Sequence, residues 1–142
     1  MDPECSICNG KADDEFKRVE VWKNTLWRLT ISTYRMVDGF CYLEPVRHIP
    51  SITDLDGDEA NEFGAILART SSALKSVMDA KLVYIYIFGD HIPHLHVHLA
   101  PHKDGDIYTN DVIRHDAKMD ESVYSRVQIK PLIEEPRRAI RE

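Results

Sequence analysis

Six consecutive residues in the second half of the chain alternate histidine with an aliphatic residue, and this alternation restricts the local fold more than any other feature. The segment reads His94-Leu95-His96-Val97-His98-Leu99. Because successive side chains of a β-strand point to opposite faces, a strand here places the aliphatic side chains on one face and the imidazoles on the other. We therefore predict a strand from His94 to about Ala100, with its aliphatic face buried.

The residues before this segment predict a helix and several strands. After Thr53-Asp54, which offers a helix start, apolar residues recur at three- and four-residue steps to about Ala80, as on one face of an amphipathic helix. Strands are predicted at 19–22, 26–32, 40–43 and 82–88, where β-branched and aromatic residues are concentrated. Strands without βαβ alternation predict an α+β domain, an antiparallel sheet with a helix packed on it.

Composition and charge exclude several classes of protein. The 142 residues are 43% hydrophobic and 30% charged, with a formal net charge of -6, as in a soluble globular domain. The absence of a long basic run argues against a nucleic-acid partner, and no apolar stretch is long enough to cross a bilayer. Because the acidic start also lacks a hydrophobic signal region, we expect a cytoplasmic protein with no membrane partner.

The three cysteines favour a metal site over a disulfide framework. Cys5 and Cys8 form a Cys-x-x-Cys pair in a predicted loop, residues 1–12, and Cys41 lies in a predicted strand, where we expect it to be buried. Two thiolates at this spacing can share a tetrahedral zinc ion. A pair of ordinary reduced thiols and a redox-active pair are the alternatives, although the βαβ context of a redox motif is missing.

Three imidazoles on one face of a strand permit two kinds of chemistry. A His-x-His pair can chelate a catalytic zinc ion, which then activates water at an open coordination position. Alternatively, one neutral imidazole attacks phosphorus near pH 7 while its neighbours orient it and move protons. A water-facing polar stripe is a third interpretation, but it offers no structural benefit. The residues alone leave the two chemical interpretations open.

At these residues the chain resembles the histidine triad (HIT) family. Residues 94–100 are similar to its signature, His-φ-His-φ-His-φ-φ with φ apolar, and residues 42–50 are similar to the strand and loop that precede its long helix. The Cys5-x-x-Cys8 start resembles the zinc-binding branch of the family. The likeness runs from residue 5 to about residue 101. It implies an antiparallel β-sheet of about five strands with one long helix and a shorter helix, usually in a homodimer.

The resemblance also implies a nucleotide substrate and a role for each histidine. His96 is the nucleophile that attacks the α-phosphorus of a nucleoside phosphoramidate or dinucleoside polyphosphate and forms a covalent nucleotidyl-histidine, which water hydrolyses. His98 contacts the phosphate and handles protons. A zinc site with four protein ligands has no open position, so the implied ion is structural. Its implied Cys2His2 ligands are Cys5, Cys8, His48 and His94.

The chain departs from the family pattern immediately before the triad. Better-known members carry a Gly-Gln-Ser/Thr segment that contacts phosphate, whereas this chain has Gly89-Asp90-His91-Ile92-Pro93. We predict that Asp90 and His91 contact the substrate, with Asp90 protonated or hydrogen-bonded to a histidine. Ser32 corresponds to a position that touches ribose or phosphate, and Phe40 replaces a histidine that many members carry.

We therefore predict a single domain over residues 1–142 that hydrolyses nucleotides, with residues 102–142 as a C-terminal extension. Within it, residues 123–133 are either extended or helical. One alternative is nucleotidyl transfer, or phosphorolysis, through the same intermediate. The other is a non-catalytic, zinc-stabilised module that binds nucleotides.

Overall fold

The computed structural model describes residues 4–33, 37–89 and 92–104. The helices and strands, in chain order, are α1 (Lys11–Glu15), β1 (Arg18–Lys23), β2 (Trp27–Ser32), β3 (Cys41–Pro45), α2 (Gly57–Val77), β4 (Leu82–Tyr86) and β5 (Val97–His102). Asp90, His91 and residues 105–142, with the predicted segment at 123–133, lie outside the described residues.

The five strands form one antiparallel sheet in the order β1-β2-β3-β5-β4. Together with long α2 and short α1, this confirms the predicted α+β fold. Strand β5 lies between β3 and β4, so that His98 is directly opposite Tyr42 on one side and Tyr86 on the other. Among the strands that the structure describes, this order leaves β4 at an edge of the sheet.

The aliphatic side chains of the triad segment are buried, as predicted. Leu95, Val97 and Leu99 belong to the main hydrophobic cluster, which also contains Ile66 and Leu74 of α2. Burial of an aliphatic side chain of this size contributes about 1.5–3 kcal/mol. The packing of α2 on this side of the sheet therefore fixes the position of the strand that carries His98.

The predicted limits of the strand that carries the triad segment, and of the strand before it, were wrong. Strand β5 begins at Val97 rather than His94, because the Leu95 amide donates to the Ile49 carbonyl at 2.7 Å instead of to a neighbouring strand. Strand β4 ends at Tyr86 rather than Phe88, where its pairing with β5 stops. The residues from His94 to His96 consequently lie in a connection that can turn side chains out of the strand alternation.

The helix limits also differ from the predicted ones. Helix α2 begins at Gly57, because residues 52–54 form a separate 3₁₀ turn. It ends at Val77 instead of continuing to Ala80. Asp79 adopts a left-handed conformation with φ of 50°, and the Ala80 amide donates to the Lys75 carbonyl at 2.9 Å, the geometry of a Schellman motif. At the N-terminus, α1 begins at Lys11, inside the predicted loop.

Candidate functional site

Four side chains from three separate segments meet beside the start of β5. Their Sγ and ring nitrogen atoms all lie within 4.8 Å of one another. His94 Nδ1 is 3.4 Å from each sulfur and 3.3 Å from His48 Nδ1. A tetrahedral zinc ion separates such ligand atoms by roughly 3.3–3.8 Å. The structure therefore brings the four predicted ligands into a candidate metal site that fits zinc: Cys5, Cys8, His48 and His94.

The cysteine pair is shaped by a tight backbone turn. The Cys8 amide points at Cys5 Sγ from 3.4 Å, and the Asn9 amide donates to the Cys5 carbonyl at 3.0 Å. Burial raises the pKa of the Cys5 thiol above its usual value. Thiolate formation at this position consequently depends on a compensating positive charge, which a bound cation supplies.

His94 is oriented by the end of β3. Its Nε2 lies 2.9 Å from the Pro45 carbonyl oxygen, and because a carbonyl only accepts, Nε2 carries the hydrogen. The lone pair is therefore on Nδ1, which faces the two sulfurs. Burial lowers the pKa of His94, which favours the neutral imidazole that metal binding requires.

The loop that carries His48 is tied to the start of α2. Arg47 donates to Glu59 at 3.0 Å and to Asp56 at 2.7 Å. The hydrogen bond from Arg47 lowers the pKa of Glu59. These contacts hold the loop so that His48 Nδ1 lies 3.4 Å from Cys8 Sγ.

His96 is oriented by the backbone of His94. Its Nδ1 is 2.7 Å from the His94 carbonyl oxygen, so Nδ1 is the donor and the lone pair lies on Nε2. No hydrogen bond to Nε2 is found within the described part of the chain. The His96 ring is half-buried, and in its neutral form Nε2 is the nitrogen that can act as a nucleophile.

His98 lies next to His96 but in a different environment. The two ring centroids are 5.0 Å apart, while His98 is only 6% exposed. Its Nδ1 is 3.3 Å from the Tyr86 carbonyl oxygen. The Tyr42 ring approaches both imidazoles, at 6.4 Å from His96 and 5.3 Å from His98.

His94 differs from the other two triad histidines in its surroundings. The His94 ring lies beside the two cysteines, and its centroid is 5.2 Å from that of His48. His96 and His98 remain neighbours. Among the described residues, the three triad histidines do not form a common metal site.

The structure places two other predicted residues in buried positions. Ser32, near the end of β2, is 5% exposed, and its hydroxyl donates to the Phe16 carbonyl at 3.2 Å. Cys41 is fully buried in the main core, as expected, and burial raises its pKa. Substrate contacts of Asp90 and His91 remain predictions, since both lie outside the described residues.

Sequence reasoning missed an ion network between α1 and the sheet. Glu44, which is 1% exposed, accepts hydrogen bonds from Arg18 and Arg28, and Asp13 of α1 accepts from the same two arginines. The Arg18 guanidinium also lies 5.1 Å from the centroid of the Tyr42 ring. The available signal was the presence of charged residues within three strands, namely Arg18 in β1, Arg28 in β2 and Glu44 in β3.

Comparison with known proteins gives partial sequence matches. No family model matches the chain. It is 34% identical over 74 residues to the bifunctional bis(5'-adenosyl)-triphosphatase/adenylylsulfatase of Arabidopsis thaliana, covering 49% of this chain and 41% of that protein. It is 26% identical over 83 residues to the asymmetrical bis(5'-nucleosyl)-tetraphosphatase of Schizosaccharomyces pombe, covering 55% and 46%. The chain thus spans less than half the length of either relative.

Solved structures match over almost the whole chain. A histidine triad nucleotide-binding protein from Sulfolobus tokodaii has a TM-score of 0.70 and 21% identity, covering 96% of this chain and 92% of that one. A zinc-bound histidine triad protein from Mycobacterium smegmatis has a TM-score of 0.68 and 14% identity, covering 97% and 94%. At these identities the matches establish the fold.

Within the described residues, no helix has the length and apolar character needed to span a membrane.

Proposed function

We propose that this chain, which belongs to the histidine triad family by its fold and its signature segment, is a nucleotide phosphohydrolase with His96 as its nucleophile. The substrate class is a nucleoside phosphoramidate or a dinucleoside polyphosphate, attacked at the α-phosphorus. The observation that carries the proposal is the 2.7 Å contact from His96 Nδ1 to the His94 carbonyl. It keeps the lone pair on Nε2, where a nucleophile needs it.

The reaction proceeds in two displacements. His96 Nε2 forms a bond to the α-phosphorus, the bond from phosphorus to the leaving group breaks, and the leaving group takes a proton. Water then attacks the same phosphorus, the phosphorus–nitrogen bond breaks, and a nucleoside monophosphate is released. The His94 carbonyl accepts a hydrogen bond from Nδ1 throughout and stabilises the positive charge of the phosphorylated ring.

We assign two tasks to His98, contact with the substrate phosphate and transfer of a proton. With Nδ1 directed at the Tyr86 carbonyl, the other nitrogen of the ring is the one that contacts a substrate oxygen next to His96. When the ring also carries a proton at that atom, this proton stabilises the charge on the phosphoryl oxygens or passes to the leaving group, and its transfer leaves His98 neutral in the Nδ1–H tautomer. Ser32, Asp90 and His91 complete the proposed set of substrate contacts.

The proposed metal is a structural zinc ion held by the Cys2His2 cluster. All four ligands come from the protein, so the ion has no open position and supplies cross-linking of the N-terminal turn, the His48 loop and the start of β5. Two features of the chain support this assignment. The ligand atoms have zinc-like separations, and the Pro45 carbonyl holds His94 in the tautomer that leaves Nδ1 for the metal.

Two further properties belong to the same proposal. We infer a homodimer that associates through β4, since this edge strand and the residues after it expose Leu82, Ile85 and Phe88. We also place the protein in the cytoplasm, because reducing conditions keep the cysteine pair available as metal ligands. The substrate class agrees with the names of the two curated relatives, a triphosphatase/adenylylsulfatase and a tetraphosphatase.

A turnover assay tests the proposed nucleophile. Purified protein is incubated with adenosine phosphoramidates and diadenosine polyphosphates, and the products are separated by chromatography. We expect His96→Ala to lower kcat by on the order of 10⁴-fold or more, as removal of a nucleophile typically does. The control is His102→Ala at the far end of β5, which should retain activity. Turnover by His96→Ala at the wild-type rate would contradict the proposal. Products that carry added inorganic phosphate would indicate phosphorolysis instead of hydrolysis.

Metal analysis tests the zinc assignment. We expect one zinc ion per chain in the wild type and its loss in Cys5→Ser. That variant should melt roughly 5–10 °C lower, because the cross-link between three segments is lost. Cys41→Ala removes the remaining thiol and should keep the zinc, since Cys41 lies in the core away from the ligands. Equal zinc content in Cys5→Ser and the wild type would argue against the assignment.

A further inference from the structure

Among the described residues, four phenylalanine and tyrosine rings lie around His98, and one of them is arranged differently from the rest. The centroid of the Tyr86 ring is 4.5 Å from that of His98, with only 5° between the two planes. The other three rings are 5.3–5.8 Å away and inclined by 46–66°: Phe40, Tyr42 and Phe88. Tyr86 is therefore the ring in this group that covers a whole face of the imidazole.

Tyr86 also contacts His98 through its backbone. The two residues are directly opposite each other in the antiparallel pairing of β4 and β5. The Tyr86 carbonyl oxygen lies 3.3 Å from His98 Nδ1, so this nitrogen is the donor. One residue thus restricts the ring of His98 in two ways, because the stacked phenol limits its rotation and the carbonyl selects its tautomer.

We propose that Tyr86 is a positioning residue, whose stacked ring and backbone carbonyl together hold His98 in the tautomer and orientation that serve the reaction. This inference rests on the proposed function of His98, and Tyr86 itself touches no reacting atom. A small rotation of His98 would move its substrate-facing nitrogen relative to His96, and catalysis is sensitive to misplacement of this size. The effect of losing the ring should therefore fall on kcat.

The same strand offers a matched control. Tyr84 precedes Tyr86 by two residues, so its side chain lies on the same face of β4. Its ring contacts His102 instead, at a centroid distance of 5.3 Å. Substitution of Tyr84 removes a phenol from the same edge strand and the same face without removing a contact to His98. Any general weakening of β4 should appear in both variants.

The experiment compares Tyr86→Ile, Tyr86→Phe and Tyr84→Ile by steady-state kinetics and by ¹⁵N NMR of the histidine rings. Isoleucine is chosen because it is favoured in strands. We expect Tyr86→Ile to lower kcat by about tenfold and to change KM by less than about twofold. The change in kcat corresponds to the loss of roughly one stacked aromatic contact. Because a ring that can rotate no longer keeps Nδ1 at the Tyr86 carbonyl, the His98 spectrum of this variant should shift from the Nδ1–H tautomer toward a mixture. Tyr86→Phe should restore both properties, and Tyr84→Ile should leave both unchanged.

Three results would overturn the proposal. They are a wild-type kcat and His98 spectrum in Tyr86→Ile, equal losses in Tyr84→Ile, and failure of Tyr86→Phe to restore kcat and the His98 spectrum. Thermal melts check folding, and Tyr86→Leu replaces Tyr86→Ile if the latter does not melt cooperatively. If the wild type turns over no nucleotide, the proposed function fails, while the His98 tautomer in these variants still decides whether Tyr86 positions that ring.

Discussion

His94 joins the candidate metal site to the candidate nucleophile. Its Nδ1 faces the cysteine sulfurs, its Nε2 donates to the Pro45 carbonyl, and its own carbonyl accepts from His96. A ligand at Nδ1 therefore fixes the residue whose backbone orients the nucleophile. This connection gives a physical basis for the two different roles proposed for His94 and His96, although they are two residues apart.

The pair between Arg18 and Glu44 gives a prediction about stability. Their side chains are 2% and 1% exposed, so removal of the arginine leaves a buried carboxylate with Arg28 as its remaining partner at 3.1 Å. We expect Arg18→Met to lower the free energy of unfolding by roughly 2–4 kcal/mol, and the double variant Arg18→Met/Glu44→Leu to recover part of that loss. Urea unfolding measures both changes.

The matched control is an exposed ion pair. Lys81 and Asp104 are 2.9 Å apart with side chains 62% and 83% exposed, so Lys81→Met should change stability by less than about 1 kcal/mol. If Arg18→Met costs no more than Lys81→Met, the buried network does not stabilise the fold.

At the scale of single residues, the sequence predicted identities better than orientations. The motif spacing and the family resemblance together predicted that Cys5, Cys8, His48 and His94 meet. The orientation of His96 was not predicted, because its contact to the His94 carbonyl forms in the connection before β5 and not in a regular strand. The stacking of Tyr86 on His98 depends on the register between β4 and β5, which no local pattern in the sequence specifies.

The His48 loop and α2 are linked by Arg47, and this link gives a pH prediction. The hydrogen bond from Arg47 lowers the pKa of Glu59 below its ordinary value of 4.5. A carboxylate with a lowered pKa stabilises the fold fully above its ordinary pKa, and the contribution is lost as pH falls through the lowered value. We expect wild type to be more stable than Glu59→Gln at neutral pH and the difference to shrink below about pH 4.5.

Chemical unfolding at several pH values measures this difference. Glu62→Gln is the control, since Glu62 is exposed on the same helix. Both variants are compared with wild type at the same pH, because protonation of cysteine and histidine also weakens metal binding. A wild-type advantage over Glu59→Gln that stays constant from neutral to acidic pH would contradict the assigned role of Arg47.

At the scale of elements, periodicity predicted the buried face of α2 and the existence of the strands around it. Element limits were less predictable, since they depend on contacts distant in sequence. Helix α2 stops at Val77 because Asp79 adopts a left-handed conformation. The spacing of apolar residues at three- and four-residue steps continues past this point, so it did not predict the end of the helix. The short helix α1 has too few residues for a recognisable period, and Asp13 anchors it through the two arginines of the sheet.

The edge position of β4 gives a prediction for the whole molecule. Its side chain Ile85 is 42% exposed, and an exposed apolar edge favours pairing with another chain. We expect sedimentation equilibrium to find a dimer and Ile85→Lys to shift it toward the monomer. Ile52→Lys is the control, because Ile52 is similarly exposed at 39% but lies outside β4. A wild type that is monomeric at all protein concentrations would contradict this interface.

The overall fold was predictable because its signals were consistent. They were strands rich in β-branched and aromatic residues, one long amphipathic helix, and a signature segment preceded by the matching strand and loop. Strand order was not derivable from the sequence pattern alone. The placement of β5 between β3 and β4 is what brings Tyr42 and Tyr86 to the two sides of His98. The surroundings of the His98 ring are therefore a property of the assembled sheet.

The most direct test of the account is to locate the covalent intermediate. The protein is quenched during turnover of a slowly hydrolysed adenosine phosphoramidate, digested under mild conditions, and sequenced by mass spectrometry. We expect the nucleotidyl group on His96 and on no other residue, with no adduct in His96→Ala. Turnover with the nucleotide attached to another residue, or turnover in which no adduct accumulates under any quench condition, would contradict the assignment of His96 as the nucleophile.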